Sequence, residues 1–309
     1  MATKPGAART TIDIRDQLES FFISLRAARR SEKTVKAYRL GVTQSAEWCE
    51  ANGVPPAIDR AQVQAWMVHM HDRGLAANTV AQRLAGVRQL AKWMADPDEG
   101  GVLESDPLLR LNAPKVDDPI TPVLTADQLK AMLKACQGPE FRERRDEAMV
   151  RLMAETGMRV SDVLGLDVTD VDLPRGLAYV RRGKGGKGRI VPFGAQTAKA
   201  LDRYIRMRRT HPGAHLPALF LTARMARRLA DHGLRRTLGL RAATAGIDKF
   251  HPHMFRHTAA SRWLSAGGSE GGLMAVAGWS SREMLDRYVR ATAAERAADE
   301  SRNLNLGDL

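Results

Sequence analysis

Cysteine is nearly absent: Cys49 and Cys136 are the only two in 309 residues. Two thiols so far apart exclude a disulfide scaffold and a paired-cysteine zinc site. Aromatic residues make up 5%. No apolar run approaches the roughly 18 residues of a membrane span. Met1–Arg9 lacks the apolar stretch of a secretory leader. The expectation is a cytoplasmic protein with no membrane association. Acidic residues are also scarce relative to basic ones: 35 Asp and Glu face 48 Lys and Arg, a net charge of +13. Such an excess calls for a polyanionic partner, with nucleic acid the first candidate. The 44% apolar content excludes wholesale disorder, and the length suggests about two domains.

The charge is unevenly spread. Residues 1–113 hold 15 basic and 13 acidic residues, a net of +2. Residues 181–242 hold 16 basic residues and only two acids, Asp202 and Asp231, a net of +14. Solvated helices usually carry acids among their basic residues, and these are almost missing here. The segment therefore reads as a phosphate-contacting surface rather than as an ordinary solvated face.

Hydrophobic spacing predicts a mainly α protein. Ile14, Leu18, Phe21, Phe22 and Leu25 repeat at helical intervals over 12–28. Ser31 suits the N-cap of a second helix, Asp59 that of a third, and Asn78 begins a fourth. The first part, 1–113, is thus an all-α four-helix domain, with Trp48, Trp66 and Trp93 assigned to its core. Prolines 97, 107, 114, 119 and 122 and Gly100-Gly101 mark 96–122 as an exposed connection, with the linker itself at 114–122. The second part, 123–309, opens with Thr125 as an N-cap, followed by helices to about Cys136 and over 142–156. Short strands are expected at 167–171, 177–181 and 189–191. Helices resume over 195–208, 224–243, 253–265, 270–277 and 281–289. This is a mostly helical domain with one small antiparallel β-sheet.

Four islands carry chemistry-bearing residues: Glu155-Thr-Gly-Met-Arg159-Val-Ser-Asp162, Arg182-Gly-Lys184-Gly-Gly-Lys187-Gly-Arg189, His251-Pro-His253-Met-Phe-Arg256-His257, and Gly278-Trp279 followed nine residues later by Tyr288. The Gly/Lys turn is not a P-loop, because Arg189 follows where Lys is required and no Ser or Thr comes next. His253 and His257 stand four apart, but Met254 replaces the Glu of a zinc-protease motif and Arg256 would repel a cation, so no metal is expected. The islands hold no nucleophilic Ser or Cys motif and no carboxylate pair. Arginine forks, lysines, histidines, an indole N–H and one tyrosine hydroxyl suit a phosphodiester, whose transition state spreads negative charge over its oxygens. The tyrosine can act as nucleophile, with a histidine and a lysine moving protons. Such a centre needs no cofactor.

In order and spacing these islands resemble the tyrosine recombinase (phage integrase) family, in its small two-domain form without an arm-binding domain. The resemblance covers about 120–290, and more weakly the four-helix part, which is similar to the family's SAM-like core-site DNA-binding domain. It implies that Arg159 and Arg256 hold the scissile phosphate and that Asp162 buttresses Arg159. It also implies that Lys184 protonates the leaving 5′ oxygen, His253 assists the tyrosine proton and Tyr288 attacks. Lys187 is the rival to Lys184, and His257 is structural. Trp279 stands where most members have His; it can donate one hydrogen bond but cannot titrate.

By the same resemblance, the partner is double-stranded DNA at core or attachment sites, cut and rejoined by a homotetramer through a Holliday junction. An accessory directionality factor is a further possible partner. The tail beginning Ala291-Thr-Ala-Ala-Glu295-Arg296 is expected to form a helix that docks on a neighbouring protomer. A phage or mobile-element integrase is the main expectation. A Xer-type dimer resolvase, a transposon recombinase and a non-catalytic relative stand as alternatives.

Overall fold

The computed structural model describes residues 12–115, 122–181, 188–286 and 301. The chain divides into two compact units, Met1–Pro119 and Ile120–Leu309.

In the first unit a 3-10 turn, Ile14–Gln17, leads into α1 (Leu18–Ala27), followed by α2 (Glu32–Ala51), α3 (Arg60–Asp72) and α4 (Ala77–Ala95). The caps are local. Ser31 Oγ accepts from Thr34 N, and Asp59 Oδ1 accepts from Gln62 N, satisfying amide groups that the first helical turn leaves without partners. Phe21, Val42, Trp66, Val80, Leu84, Leu90 and Met94 fill the core, Trp93 is buried beside Phe21, and Trp48 is only half-buried. Two glycines let α2 and α4 cross closely. A Cβ on Gly41 would lie 2.2 Å from the Arg83 carbonyl oxygen, and one on Gly86 would lie 2.6 Å from that of Tyr38.

The Pro/Gly-rich stretch after α4 corrects one expectation. Residues 96–111 are not an exposed connection but fold back onto this unit. Trp93 Nε1 donates to Glu99 at 2.7 Å, and the Val102 and Leu103 amides both donate to the Met94 carbonyl. Leu108 and Leu111 are buried in the core. Proline excludes a helix here, but a turn-rich chain can still bury its leucines.

The second unit contains α5 (Ala126–Lys134), α6 (Phe141–Thr156), α7 (Val160–Gly165), a three-stranded sheet, α8 (Ala195–Arg208), α9 (Asp231–Thr244), α10 (His253–Ser265) and α11 (Glu270–Ala277). The strands are β1 (Val171–Asp172), β2 (Leu177–Val180) and β3 (Arg189–Pro192), antiparallel in the order β1-β2-β3. Helix α6 is the central element: Ala148, Met149, Val150, Leu152 and Met153 are all fully buried. A part-buried ion pair also ties α6 to α8, since Arg203 donates to both carboxylate oxygens of Glu147.

Two expected elements differ. Val168–Asp170 form a 3-10 turn rather than a strand, because the Asp170 carboxylate accepts from the Asp167 amide at 2.9 Å and bends the chain before β1, and Asp167 itself makes an isolated bridge to Ala218. The helix expected from 224 begins only at Asp231. Before it the chain makes a loop closed by an isolated antiparallel bridge between Leu221 and Arg228, and the Leu229 amide donates to the Phe220 carbonyl. Residues 282–286 are helical, as far as that last expected helix is described.

Candidate active site

The first island lies where α6 stops. Gly157 adopts a left-handed conformation (φ 62°), and a Cβ there would lie 3.1 Å from Ala259 Cβ on α10. Glycine thus serves both the helix stop and the close approach. Two residues on, Arg159 takes the extended backbone of an N-cap for α7. Its amide donates to Asp162 Oδ2 at 3.1 Å, and its Nη1 stands 4.0 Å from the same oxygen. Asp162 is almost fully buried.

The third island opens α10. Arg256, 2% exposed, donates from Nη1 to the Gly157 carbonyl at 3.0 Å and from Nη2 to the Ala277 carbonyl at 2.8 Å. Its guanidinium lies 5.0 Å from the centre of the Trp279 ring, within cation–π range. One turn before it, His253 meets His257 edge-on with ring centres 4.9 Å apart. Burial lowers the pKa of His253, and the nearby charges of Arg256, His251, Arg159 and Arg235 lower it further. Both effects favour the neutral imidazole.

The fourth island is the end of α11. Gly278 is again left-handed (φ 64°), and the helix end leaves a run of carbonyls without helical partners. Each takes a different arginine: Val276 O accepts from Arg189 Nε at 2.8 Å, Ala277 O from Arg256 Nη2 at 2.8 Å, and Gly278 O from Arg159 Nη2 at 3.4 Å. A helix C-terminus carries partial negative charge and favours cations. Trp279 then packs with Leu273, Ala277 and Leu285 in a small apolar cluster. A cavity of about 320 Å³ lies behind Arg256 and Trp279, walled also by Glu155, Trp263 and Leu273.

The structure thus draws Arg159, Asp162, His253, Arg256, His257 and Trp279 together from three islands. Arg182, Lys184, Lys187 and Tyr288, together with the tail helix expected at 291–296, lie outside the described residues. Of the other tyrosines, Tyr204 is buried, and its hydroxyl donates to the Leu219 carbonyl and accepts from the Leu221 amide. Burial pushes its pKa up to about 12, which disfavours it as a nucleophile.

Two residues escaped a role at the level of sequence. Arg189 donates from Nη2 to Asp162 at 2.7 Å, closer than Arg159 comes to the same carboxylate. Glu155 ties the end of α6 to the start of α8, accepting from the Gly194 amide at 2.7 Å and the Thr197 hydroxyl at 2.5 Å. Both stood within the chemical islands; nothing in their spacing indicated the partner.

The basic segment is also corrected. Seven of its arginines form ion pairs: Arg181 with Asp170, Arg189 with Asp162, Arg203 with Glu147, Arg206 with Asp202, Arg228 with Asp167, Arg235 with Asp231 and Arg241 with Asp146. Arg208 is buried and donates to the carbonyls of Leu216, Ala218 and Leu219. The acids missing from 181–242 arrive mostly from 146–170. Arg209, Arg224, Arg227 and Arg236 remain exposed and, among the described residues, outside any ion pair. No group of His, Cys, Asp and Glu among the described residues could hold a metal ion, and no described helix is long and apolar enough to cross a membrane.

Residues 122–295 match the phage integrase family, and residues 18–96 match the phage integrase N-terminal SAM-like domain. The chain is 32% identical over 257 residues to tyrosine recombinase XerC of Pseudomonas putida (strain W619), covering 81% of this chain and 83% of that one. It is 30% identical over 290 residues to XerC of Roseiflexus sp. (strain RS-1), covering 91% of each. In fold it is similar to the XerH site-specific recombinase bound to palindromic difH substrate, with a TM-score of 0.70, 17% identity, and coverage of 93% of this chain and 84% of that one. It is likewise similar to a lambda integrase dimer (residues 75–356) bound to a COC′ core site, with a TM-score of 0.67, 18% identity, and coverage of 90% and 95%.

Proposed function

The chain belongs to the phage integrase family, the tyrosine site-specific recombinases, and from that premise we propose that Tyr288 cleaves DNA at a phosphate held by Arg159 and Arg256. The Tyr288 oxygen attacks phosphorus and a 3′-phosphotyrosyl ester forms. The bond to the 5′ oxygen breaks, and that oxygen leaves as a hydroxyl. The tyrosine proton passes to neutral His253, and Lys184 supplies the proton taken by the 5′ oxygen. Trp279 keeps an apolar wall against the Arg256 guanidinium. A 5′-hydroxyl from the partner duplex then attacks the phosphotyrosine and restores the diester. One ester replaces another at each step, so neither ATP nor a metal is consumed.

The observation that carries this reading is the convergence of Arg159 and Arg256 on successive carbonyls of one helix end, with a neutral imidazole beside them. Two fixed guanidiniums meet the charge that develops on the non-bridging oxygens without having to reorganise.

Within the family, the 30–32% identity to XerC proteins over most of the chain supports a Xer-type recombinase acting on short core sites in duplex DNA. It favours that alternative over the phage or mobile-element integrase expected first. On this reading four protomers assemble on paired sites, exchange two strands at a time through a Holliday junction, and separate chromosome or plasmid dimers. A duplex nicked beside the cleavage site traps the covalent step. The expected result is a protein–DNA adduct that disappears in Tyr288→Phe. No adduct on candidate sites from the protein's own replicon, with DNA binding intact, would favour a non-catalytic relative.

A further inference from the structure

We propose that Arg189, the first residue of β3, is a positioning residue that keeps the Arg159 guanidinium available to the phosphate. The inference rests on the assignment of Arg159 as a phosphate ligand. Asp162 is buried, and its near ion pair goes to Arg189 at 2.7 Å, whereas the Arg159 guanidinium stands 4.0 Å away. A buried carboxylate must find a cation. Arg189 meets that demand, so Asp162 can hold Arg159 through its main-chain amide without drawing the guanidinium closer than 4.0 Å.

The geometry also explains why arginine is needed. While Nη2 serves Asp162, Nε donates to the Val276 carbonyl at 2.8 Å. That carbonyl immediately precedes those of Ala277 and Gly278, which receive Arg256 and Arg159. Arg189 therefore joins β3, α7 and the end of α11, the three elements that frame the phosphate position. A lysine is a point donor and cannot serve both partners in that planar arrangement. The fold reserves space for the side chain: a Cβ on Gly278, already at φ +64°, would lie 3.0 Å from Arg189 Cδ. In Arg189→Gln the charge of Asp162 is left to Arg159, which is drawn toward the carboxylate and away from the phosphate.

The test compares two nicked duplexes, one with an ordinary scissile phosphodiester and one with a methylphosphonate, which lacks the negative charge that an arginine neutralises. On the diester, adduct formation by Arg189→Gln is expected to fall about tenfold to a hundredfold, the scale of a displaced catalytic group, with DNA binding unchanged. On the methylphosphonate, its deficit relative to wild type should shrink to about threefold or less, since less depends on Arg159. A deficit of equal size on both substrates, or none on the diester, would overturn the proposal. If Arg189→Gln does not fold, as judged by loss of a cooperative thermal transition, Arg189→Lys is measured instead. It keeps a cation for Asp162 but loses the second contact to the Val276 carbonyl. Its deficit on the diester should be smaller than that of Arg159→Ala and should shrink on the methylphosphonate, and an equal deficit on both substrates would overturn the proposal. Arg159→Ala serves as the control for the premise. Relief of its defect by methylphosphonate supports the phosphate assignment; lack of relief removes that assignment, and the Arg189 proposal with it.

Discussion

Arg256 on the first turn of α10 donates to the carbonyl of Ala277, the last residue of α11, at 2.8 Å, while its other terminal nitrogen donates to Gly157. One buried guanidinium thus joins the ends of α6 and α11 to α10. Arg256→Lys keeps a charge but cannot bridge both carbonyls. Its adduct formation on a nicked duplex should fall about 10²–10³-fold, as when one preorganised donor is removed, while equilibrium DNA binding changes little. Single-turnover trapping alongside a gel-shift titration makes the comparison.

The lowered pKa of His253 sets the sign of a pH effect. Burial and the surrounding cations resist its protonation in the folded chain, whereas the unfolded chain takes up that proton near the ordinary value of about 6.5. The unfolded state therefore binds more protons as pH drops through that value. Stability is full above it and is lost below it, down to the folded value. Between pH 7.5 and pH 5.5, wild type should lose more thermal stability than His253→Gln. Parallel melting profiles across that window would contradict the assignment.

Salt dependence should separate the exposed arginines outside any described ion pair from those already paired with a carboxylate of the chain. Replacing exposed Arg224, Arg227 or Arg236 by Gln should lower the slope of log affinity against log salt by about 0.9 for each DNA phosphate left without its arginine. Replacing Arg203 or Arg206, paired with Glu147 and Asp202, should leave the slope nearly unchanged. Fluorescence-anisotropy titrations at several salt concentrations supply the slopes.

Close approach of α2 and α4 makes Gly41 and Gly86 sensitive to a single methyl group. Gly41→Ala would push a Cβ against the Arg83 main chain, and backbone cannot move aside as a side-chain tip can. A destabilisation of about 1–3 kcal/mol is expected from overpacking, measured as a shift in the urea midpoint of the first unit. Gly53→Ala is a useful contrast: it carries a positive φ, but a Cβ there meets nothing within 4 Å.

Much of both units was legible in the chain itself. The capping residues Ser31, Asp59 and Thr125 act where their types and spacing indicated, because a cap is made within three residues of the sequence. Arg159, His253, Arg256 and Trp279 could be singled out because guanidinium, imidazole and indole are chemical identities written in the letters. The charge of 181–242 was misjudged because counting acids along the chain ignores those brought in by folding: Asp146 reaches Arg241 across 95 positions. The stretch 96–111 was misjudged because proline and glycine report what cannot be a helix, while Leu108 and Leu111 decide where the chain is buried.

By itself the sequence determined the mainly helical build and the family, and it singled out the residues proposed to hold and exchange a phosphodiester. Those properties reside in side-chain type and short-range periodicity. Only the tertiary structure decided that Arg159, Arg256 and Arg189 share successive carbonyls at the end of α11, and that Asp162 pairs more closely with Arg189 than with Arg159. A main-chain carbonyl is the same in every residue and leaves no mark in the letters. Which one becomes an acceptor, and for which cation, depends on how α6, α7, α10, α11 and β3 pack, and that packing sums contacts between segments far apart in the chain.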